Sequence, residues 1–77
     1  MKNSNGKNIL IVTQYFWPEN FLINNFASHL KKYANVTVLT GLPNYPDGKI
    51  FKKYNKIKKI FTENWEGIKV VRIPIIP

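Results

Sequence analysis

The fold is decided by residues 8–40, NILIVTQYFWPENFLINNFASHLKKYANVTVLT. Ile9 to Val12 form an uninterrupted apolar run within a stretch rich in β-branched residues. Such a run, with no polar alternation, predicts a strand in a parallel sheet, covered on both faces. Residues 36–40, VTVLT, predict a second strand of the same kind. Between them, at ~100° per residue, Leu22, Ile23, Phe26, Ala27, Leu30, Tyr33 and Ala34 share one side of residues 21–34. Asn24, Asn25, Ser28, Lys31 and Lys32 share the other. That pattern predicts an amphipathic helix laid on a sheet. Asn20 is placed to cap its start by accepting a backbone N–H, and Lys31 and Lys32 suit the negative end of its dipole. Strand, helix and strand in this order make a βαβ unit with a right-handed crossover.

Outward from this core, residues 68–73, IKVVRI, predict a third strand after a turn at Glu66-Gly67. The expected fold is α/β, a partial Rossmann-like domain of three parallel strands in spatial order 3-2-1. Residues 1–7 are polar and read as a flexible tail. Residues 8–77 read as one domain. At 77 residues one domain is the ceiling. A chain of this size buries only about 60% of its unfolded surface, so its core is thin.

Composition removes several chemistries. With no cysteine, disulfides and thiolate metal sites are excluded. One histidine and four carboxylates argue against a structural metal, and no cofactor is expected. Ile9 to Val12 is too short for a signal peptide or a membrane span, so a cytoplasmic location is expected. Asn35-Val36-Thr37 matches a glycosylation acceptor pattern but falls in a predicted buried strand and carries no weight. Twelve Lys and Arg against four Asp and Glu give a net charge of +8, which implies an anionic partner or surface.

In open α/β sheets, ligands bind beyond the carboxyl ends of the strands. Two loops occupy that position, residues 14–20 and 41–48. The first contains no glycine, so it is not a dinucleotide fingerprint. It offers Gln14, Tyr15, Trp17, Glu19 and Asn20 ahead of a helix N-terminus, where anions are favoured. Aromatic platforms beside amide and carboxylate groups suit a polyhydroxylated ligand; packing of the rings on the core is the alternative. The second loop, GLPNYPDG, is stiffened by two prolines and two glycines, with Asn44 and Tyr45 as its ligand candidates. A stiff connector is the alternative there. His29 lies in the third turn of the predicted helix, far from the strand ends, and reads as a boundary histidine. No catalytic residue is assigned.

Residues 49–61 hold half of the cations: Lys49, Lys52, Lys53, Lys56, Lys58 and Lys59. Ile50, Tyr54, Ile57 and Phe61 recur among them at helical spacing. This predicts a short basic amphipathic segment, apt for peripheral contact with an anionic membrane surface.

Three blocks carry a family resemblance: ILIVTQYFWPENF at residues 9–21, VTVLTGLPNYPDGK at 36–49 and GIKVVRIP at 67–74. Together they resemble the opening of family 4 glycosyltransferases. The likeness is nearest to the branch with the colanic-acid enzymes and the fucosamine-type transferases of O-antigen synthesis. The resemblance runs from about residue 8 to 77, and it implies that residues 8–77 are an incomplete N-terminal, acceptor-side Rossmann-like domain, since the first strand should be central and only one side of it is supplied. It implies a GT-B architecture of two Rossmann-like domains, the first receiving the acceptor and the second holding the nucleotide-sugar. It also implies retention of anomeric configuration without a metal. The acceptor would be a glycan, often lipid-linked, met at the inner face of the plasma membrane. By the same likeness Glu19 and Asn20 would lie near the sugar or diphosphate, and Asn44 and Tyr45 on the acceptor side. Many relatives carry Gly-Gly where this chain has Glu19-Asn20. The donor site belongs to a second domain, so these 77 residues alone are expected to be inactive and marginally stable.

A different class, a small basic nucleic-acid-binding module, is suggested by the charge and by eleven aromatic residues. The cations concentrate in one stretch and the aromatics lie elsewhere, with no known RNA- or DNA-binding motif. No nucleic-acid partner is expected.

Overall fold

The computed structural model describes residues 6–45, 49–54 and 58–74. Strand β1 (Asn8–Val12) leads through the first loop to helix α1 (Leu22–Leu30) and strand β2 (Asn35–Thr40). A single 3-10 turn at Lys52–Tyr54 precedes strands β3 (Phe61–Trp65) and β4 (Ile68–Arg72). The sheet order is β1-β2-β4-β3. β1 and β2 are parallel with Ile9 beside Val36, β2 and β4 are parallel with Val38 beside Val70, and β3 runs antiparallel to β4.

The sheet is therefore four-stranded and mixed, which corrects the expectation of three parallel strands in order 3-2-1. The expected strands are β1, β2 and β4, adjacent and parallel; the expectation lacked β3. Phe61, Glu63 and Trp65 alternate with Thr62 and Asn64, the two-residue period of a strand. A lysine-rich stretch with a helical apolar spacing masks that period in the sequence. The hairpin is closed by Glu66 and Gly67, both at positive φ, 53° and 85°. Two left-handed residues match the twist of antiparallel strands, and Gly67 adopts that region without a Cβ penalty. Gly67 N–H also donates to Asn64 Oδ1 at 3.0 Å.

The core lies between α1 and one face of the sheet. Phe16, Ala27, Val38, Ile68 and Val70 are fully buried there, with Ile11, Trp17, Ile23, Leu30 and Trp65 packed around them. Each large aliphatic side chain so buried contributes about 1.5–3 kcal/mol relative to exposure. The other sheet face has no helix over it among the described residues. Leu10 and Val12 stand 61% and 71% exposed on β1.

The helix differs from its expectation in three ways. It ends at Leu30 rather than Ala34, and Ala34 N–H closes the last turn on Leu30 C=O at 3.1 Å. Asn20 does not cap it: Phe21 occupies the cap position in extended conformation, with no side-chain cap. Its face is also rotated. Asn24 is buried, whereas Leu22 and Phe26, together with Tyr33 just beyond the helix, are more than half exposed. The reason is local. Asn24 Nδ2 donates to Glu19 C=O at 2.7 Å, which draws this edge of the helix under the first loop. Ala27, the smallest side chain on the inward side, then sits against the sheet.

The basic segment contains no α-helix among the described residues. Tyr54 is buried and Phe61 enters β3, so apolar residues expected on an amphipathic face serve the domain instead. Lys56, Ile57, Asp47, Gly48, residues 1–5 and the end at 75–77 lie outside the described residues. No described helix is long and apolar enough to cross a membrane.

Candidate functional site at the strand ends

The carboxyl ends of β1, β2 and β4 meet at one end of the sheet, and both candidate loops start there. Two buried charged side chains fix how the loops meet. The first is Glu19, buried although carboxylates are rarely so. Its Oε1 accepts Phe16 N–H at 3.2 Å within its own loop. Its Oε2 accepts the N–H groups of Asn44 at 2.8 Å and Tyr45 at 2.7 Å from the second loop. Three backbone donors on one carboxylate are charge-assisted bonds of the stronger kind, and they replace the water lost on burial.

The second is Arg72 at the end of β4, fully buried. Its guanidinium donates to Gly41 C=O at 2.8 Å and to Trp17 C=O, one carbonyl from each loop. Its Nε pairs with Glu63 on β3 at 2.5 Å. Tyr54 O–H donates to the same carboxylate, and the guanidinium lies over the Tyr54 ring, 5.2 Å from its centroid. Burial, and then the hydrogen bond to Glu63, push the Tyr54 hydroxyl up to about 12. Thus Arg72 holds both loops from outside them, and Glu19 bridges from one loop to the other.

Smaller bonds complete the wall. Thr13 Oγ1 donates to Tyr15 C=O at 2.9 Å, and Thr40 Oγ1 to Gln14 C=O at 3.3 Å. Both threonine hydroxyls thereby pin the first loop to the strand ends. Tyr15, Phe21 and Tyr45 form an aromatic cluster between the loops, Tyr15 stacked on Phe21 at 5.1 Å and Tyr45 edge-on to both. Centroid spacings in this range are the favoured ones for aromatic pairs.

Beside this wall lies a cleft of about 310 Å³, lined by residues from β1, β2, the two loops and Ile73. Its floor is apolar, from Val12, Leu39, Leu42 and Ile73, and its polar members are Thr13, Gln14, Thr40 and Asn44. None of the described lining residues is ionisable. Asn44 Nδ2 donates to Leu42 C=O at 2.9 Å, and Gln14 Nε2 donates to the Tyr15 hydroxyl oxygen at 3.1 Å. The amide oxygens of Gln14 and Asn44 are left as acceptors among the described residues. The cleft can accept hydrogen bonds from hydroxyl groups and, among the described residues, offers neither an acid nor a base.

Of the sequence-predicted site residues, the structure brings Gln14, Asn44, Tyr15 and Tyr45 to this end, the first two in the cleft and the others in the aromatic wall. Trp17 turns into the core and stacks on Trp65 at 6.0 Å. Glu19 lies beneath the loops with both oxygens engaged, and Asn20 is exposed. Lys49, Lys52, Lys53, Lys58 and Lys59 are exposed and none lines the cleft. Sequence reasoning missed Thr13, Thr40, Glu63 and Arg72. The available signal for Arg72 was an arginine in step with the apolar residues Ile68 and Val70 on one face of its strand, which calls for a paired acid. His29 is exposed on α1, its ring 5.5 Å from that of Tyr33, away from the cleft. No group of three or more His, Asp or Glu residues could hold a metal among the described residues. Comparison of the chain with protein-family models, with curated proteins and with solved structures finds no match in any of the three.

Proposed function

We propose that the chain is the acceptor-side part of a glycosyltransferase. It would take part in moving a sugar from a nucleotide-sugar to a glycan or lipid-linked acceptor in bacterial surface polysaccharide synthesis. The observation that carries this reading is the strand-end cleft. Two latched loops present the amide oxygens of Gln14 and Asn44 over an apolar floor, with no cation lining it among the described residues to hold a phosphate. Such a surface fits sugar hydroxyls above and the apolar face of a sugar ring or carrier below. The motif blocks that resemble family 4 glycosyltransferases supply these same two loops. In this reading the nucleotide-sugar and its diphosphate are held by a second Rossmann-like domain. The exposed lysines between residues 49 and 59 face the membrane that carries the acceptor. Glu19, expected near the sugar, acts instead as a positioning residue through the backbone of Asn44 and Tyr45.

The test is an amide-resolved NMR titration of the chain with short saccharides and with a prenyl-linked sugar analogue. Shifts at Gln14, Thr40 and Asn44 that saturate and are lost in Gln14→Ala are the expected result. Absence of saccharide shifts at those residues, with shifts at the lysines on adding single-stranded oligonucleotide, would overturn the reading in favour of a nucleic-acid module.

A further inference from the structure

Both loops of the strand-end site pass from the cleft into the aromatic wall in a single step. Gln14 lines the cleft and Tyr15 stands in the wall; Asn44 lines the cleft and Tyr45 stands in the wall. Consecutive Cα atoms are about 3.8 Å apart, so the wall begins where the cleft ends. Side chains tie the two together as well, since Gln14 Nε2 donates to the Tyr15 hydroxyl oxygen. Tyr45 differs from the other aromatics of these loops. Phe16 is fully buried and Trp17 stacks on Trp65, whereas Tyr45 is 48% exposed. It is nevertheless held in place. Its N–H donates to Glu19 Oε2 at 2.7 Å, the same oxygen that accepts Asn44 N–H. Its ring lies edge-on to Tyr15 and Phe21, with centroids 5.4 and 4.7 Å away. Burying a carboxylate is unfavourable unless hydrogen bonds compensate it. Here the buried charge fixes one cleft residue and one exposed ring side by side. A half-exposed ring on a fixed backbone is a preorganised contact surface, and binding to it needs little further ordering.

We propose that Tyr45 is the platform of a second sugar subsite, so that the site takes a disaccharide unit or longer. One sugar sits in the cleft and the adjoining one lies against the Tyr45 ring. The proposal rests on the reading of the cleft as a saccharide site. The chemistry of the two parts is complementary. In the cleft, the amide oxygens of Gln14 and Asn44 accept hydroxyl protons over an apolar floor. A pyranose also carries a face of C–H groups with slight positive charge, and the negative face of an aromatic ring attracts it. The hydroxyls around the rim of that second sugar remain in water, which suits a half-exposed ring rather than a buried one. The surroundings favour a sugar over an isoprenoid tail. An apolar tail calls for a concave apolar pocket, whereas Tyr45 is half exposed and Asn20, next to Phe21 of the wall, is exposed and polar.

The test is an NMR titration of the purified chain with matched saccharide pairs: glucose with maltose, galactose with lactose, and N-acetylglucosamine with chitobiose. Amide shifts at Gln14, Thr40 and Asn44 report on the cleft, and ring-proton shifts of Tyr45 report on the platform. In at least one pair the disaccharide binds on the order of tenfold more tightly than its monosaccharide, and only the disaccharide moves the Tyr45 ring protons. Tyr45→Ala removes that advantage, and Tyr45→Phe, which keeps the ring, retains it. The ring shifts of the parent chain decide the question even where Tyr45→Ala does not fold. Equal binding within every pair, with shifts at the cleft residues alone, overturns the second subsite and leaves the reading of the cleft standing. A disaccharide advantage that survives Tyr45→Ala also overturns it. Tyr45 ring shifts of the same size with geranyl phosphate, which carries no sugar, overturn it in favour of a carrier-binding surface. Absence of any saccharide shift at the cleft residues overturns both the subsite and the reading beneath it.

Discussion

Glu19 Oε2 lies 2.8 Å from the backbone nitrogen of Asn44, 25 residues further along the chain. One carboxylate thereby sets the distance between the two loops that form the candidate site. With Phe16 and Tyr45 also donating to it, Glu19 organises backbone in both loops.

The first prediction concerns this latch. Glu19→Ala leaves three N–H groups without their acceptor, two of them from the second loop. A buried donor left unsatisfied costs about 1–3 kcal/mol, and more when the lost partner is charged. Glu19→Gln keeps the shape but turns one acceptor into a donor facing donors. Both variants should lower the urea midpoint, with Glu19→Ala and Glu19→Gln alike loosening exchange at Asn44 and Tyr45. Unchanged midpoints would show that the carboxylate does not hold the loops.

The second prediction concerns Arg72. Arg72→Met removes the partner of Glu63 and frees the carbonyls of Gly41 and Trp17. Breaking a buried pair from one side costs about 3–5 kcal/mol. At roughly 0.05–0.15 kcal/mol per residue, the whole domain is stable by only about 4–12 kcal/mol. The variant should therefore lose a large share of its stability and melt well below the parent chain. The double variant Arg72→Met with Glu63→Leu removes the stranded acid and should recover part of the loss. A single variant that melts like the parent chain would contradict the role assigned to Arg72.

The third prediction is a pH dependence. The Tyr54 hydroxyl is pushed from 10.0 up to about 12 by burial and by its bond to Glu63. Folding thus favours the neutral phenol. Its contribution to stability is fully present below pH 10.0 and is lost as pH rises through about 12. Absorbance of ionised tyrosine should show a step near pH 12 that disappears in Tyr54→Phe. The alkaline decline in stability should shrink in the same variant. A titration without the late step would place Tyr54 in contact with water.

Much of the parallel part was legible in the sequence, because Ile9 to Val12 is an apolar run and Val36 to Thr40 is rich in β-branched residues, both bounded by loop residues. Less was legible where one residue serves two patterns. Phe61 fits both a helical spacing with Ile57 and a strand alternation with Glu63 and Trp65. The pairing of Phe61 with Arg72 across the hairpin is a long-range fact that periodicity does not carry. The helix face was misread for a similar reason. Leu22 and Phe26 outrank Asn24 in hydropathy, but Asn24 has a carbonyl partner at Glu19 that exists only once the first loop has folded. At the site, Gln14, Tyr15, Asn44 and Tyr45 were found by position after strands. Trp17 was misjudged because an aromatic in a loop looks the same whether its ring faces ligand or Trp65. Glu19 was found for its place but not for its work, since nothing local shows a carboxylate gripping a loop 25 residues away.

The last prediction concerns the lysines. Lys49, Lys52, Lys53, Lys58 and Lys59 are exposed, and Ile60 beside them is 65% exposed. Basic side chains held within a Debye length of an anionic leaflet add to binding, and salt screens them. The chain should sediment with vesicles of phosphatidylglycerol and phosphatidylethanolamine and release them as salt rises. It should leave vesicles of phosphatidylcholine alone. Lys53 is a poor residue to mutate for this purpose, since its ammonium lies over the Tyr54 ring at 5.7 Å and its loss disturbs the buried network. Among the described residues Lys58 and Lys59 make no such contact, so Lys58→Glu with Lys59→Glu isolates charge from packing. That pair should weaken anionic-vesicle binding on the order of tenfold or more while the melting curve stays in place. If the double variant binds as tightly as the parent, or if neutral vesicles bind equally well, the basic segment is a solvated surface and the membrane contact is wrong.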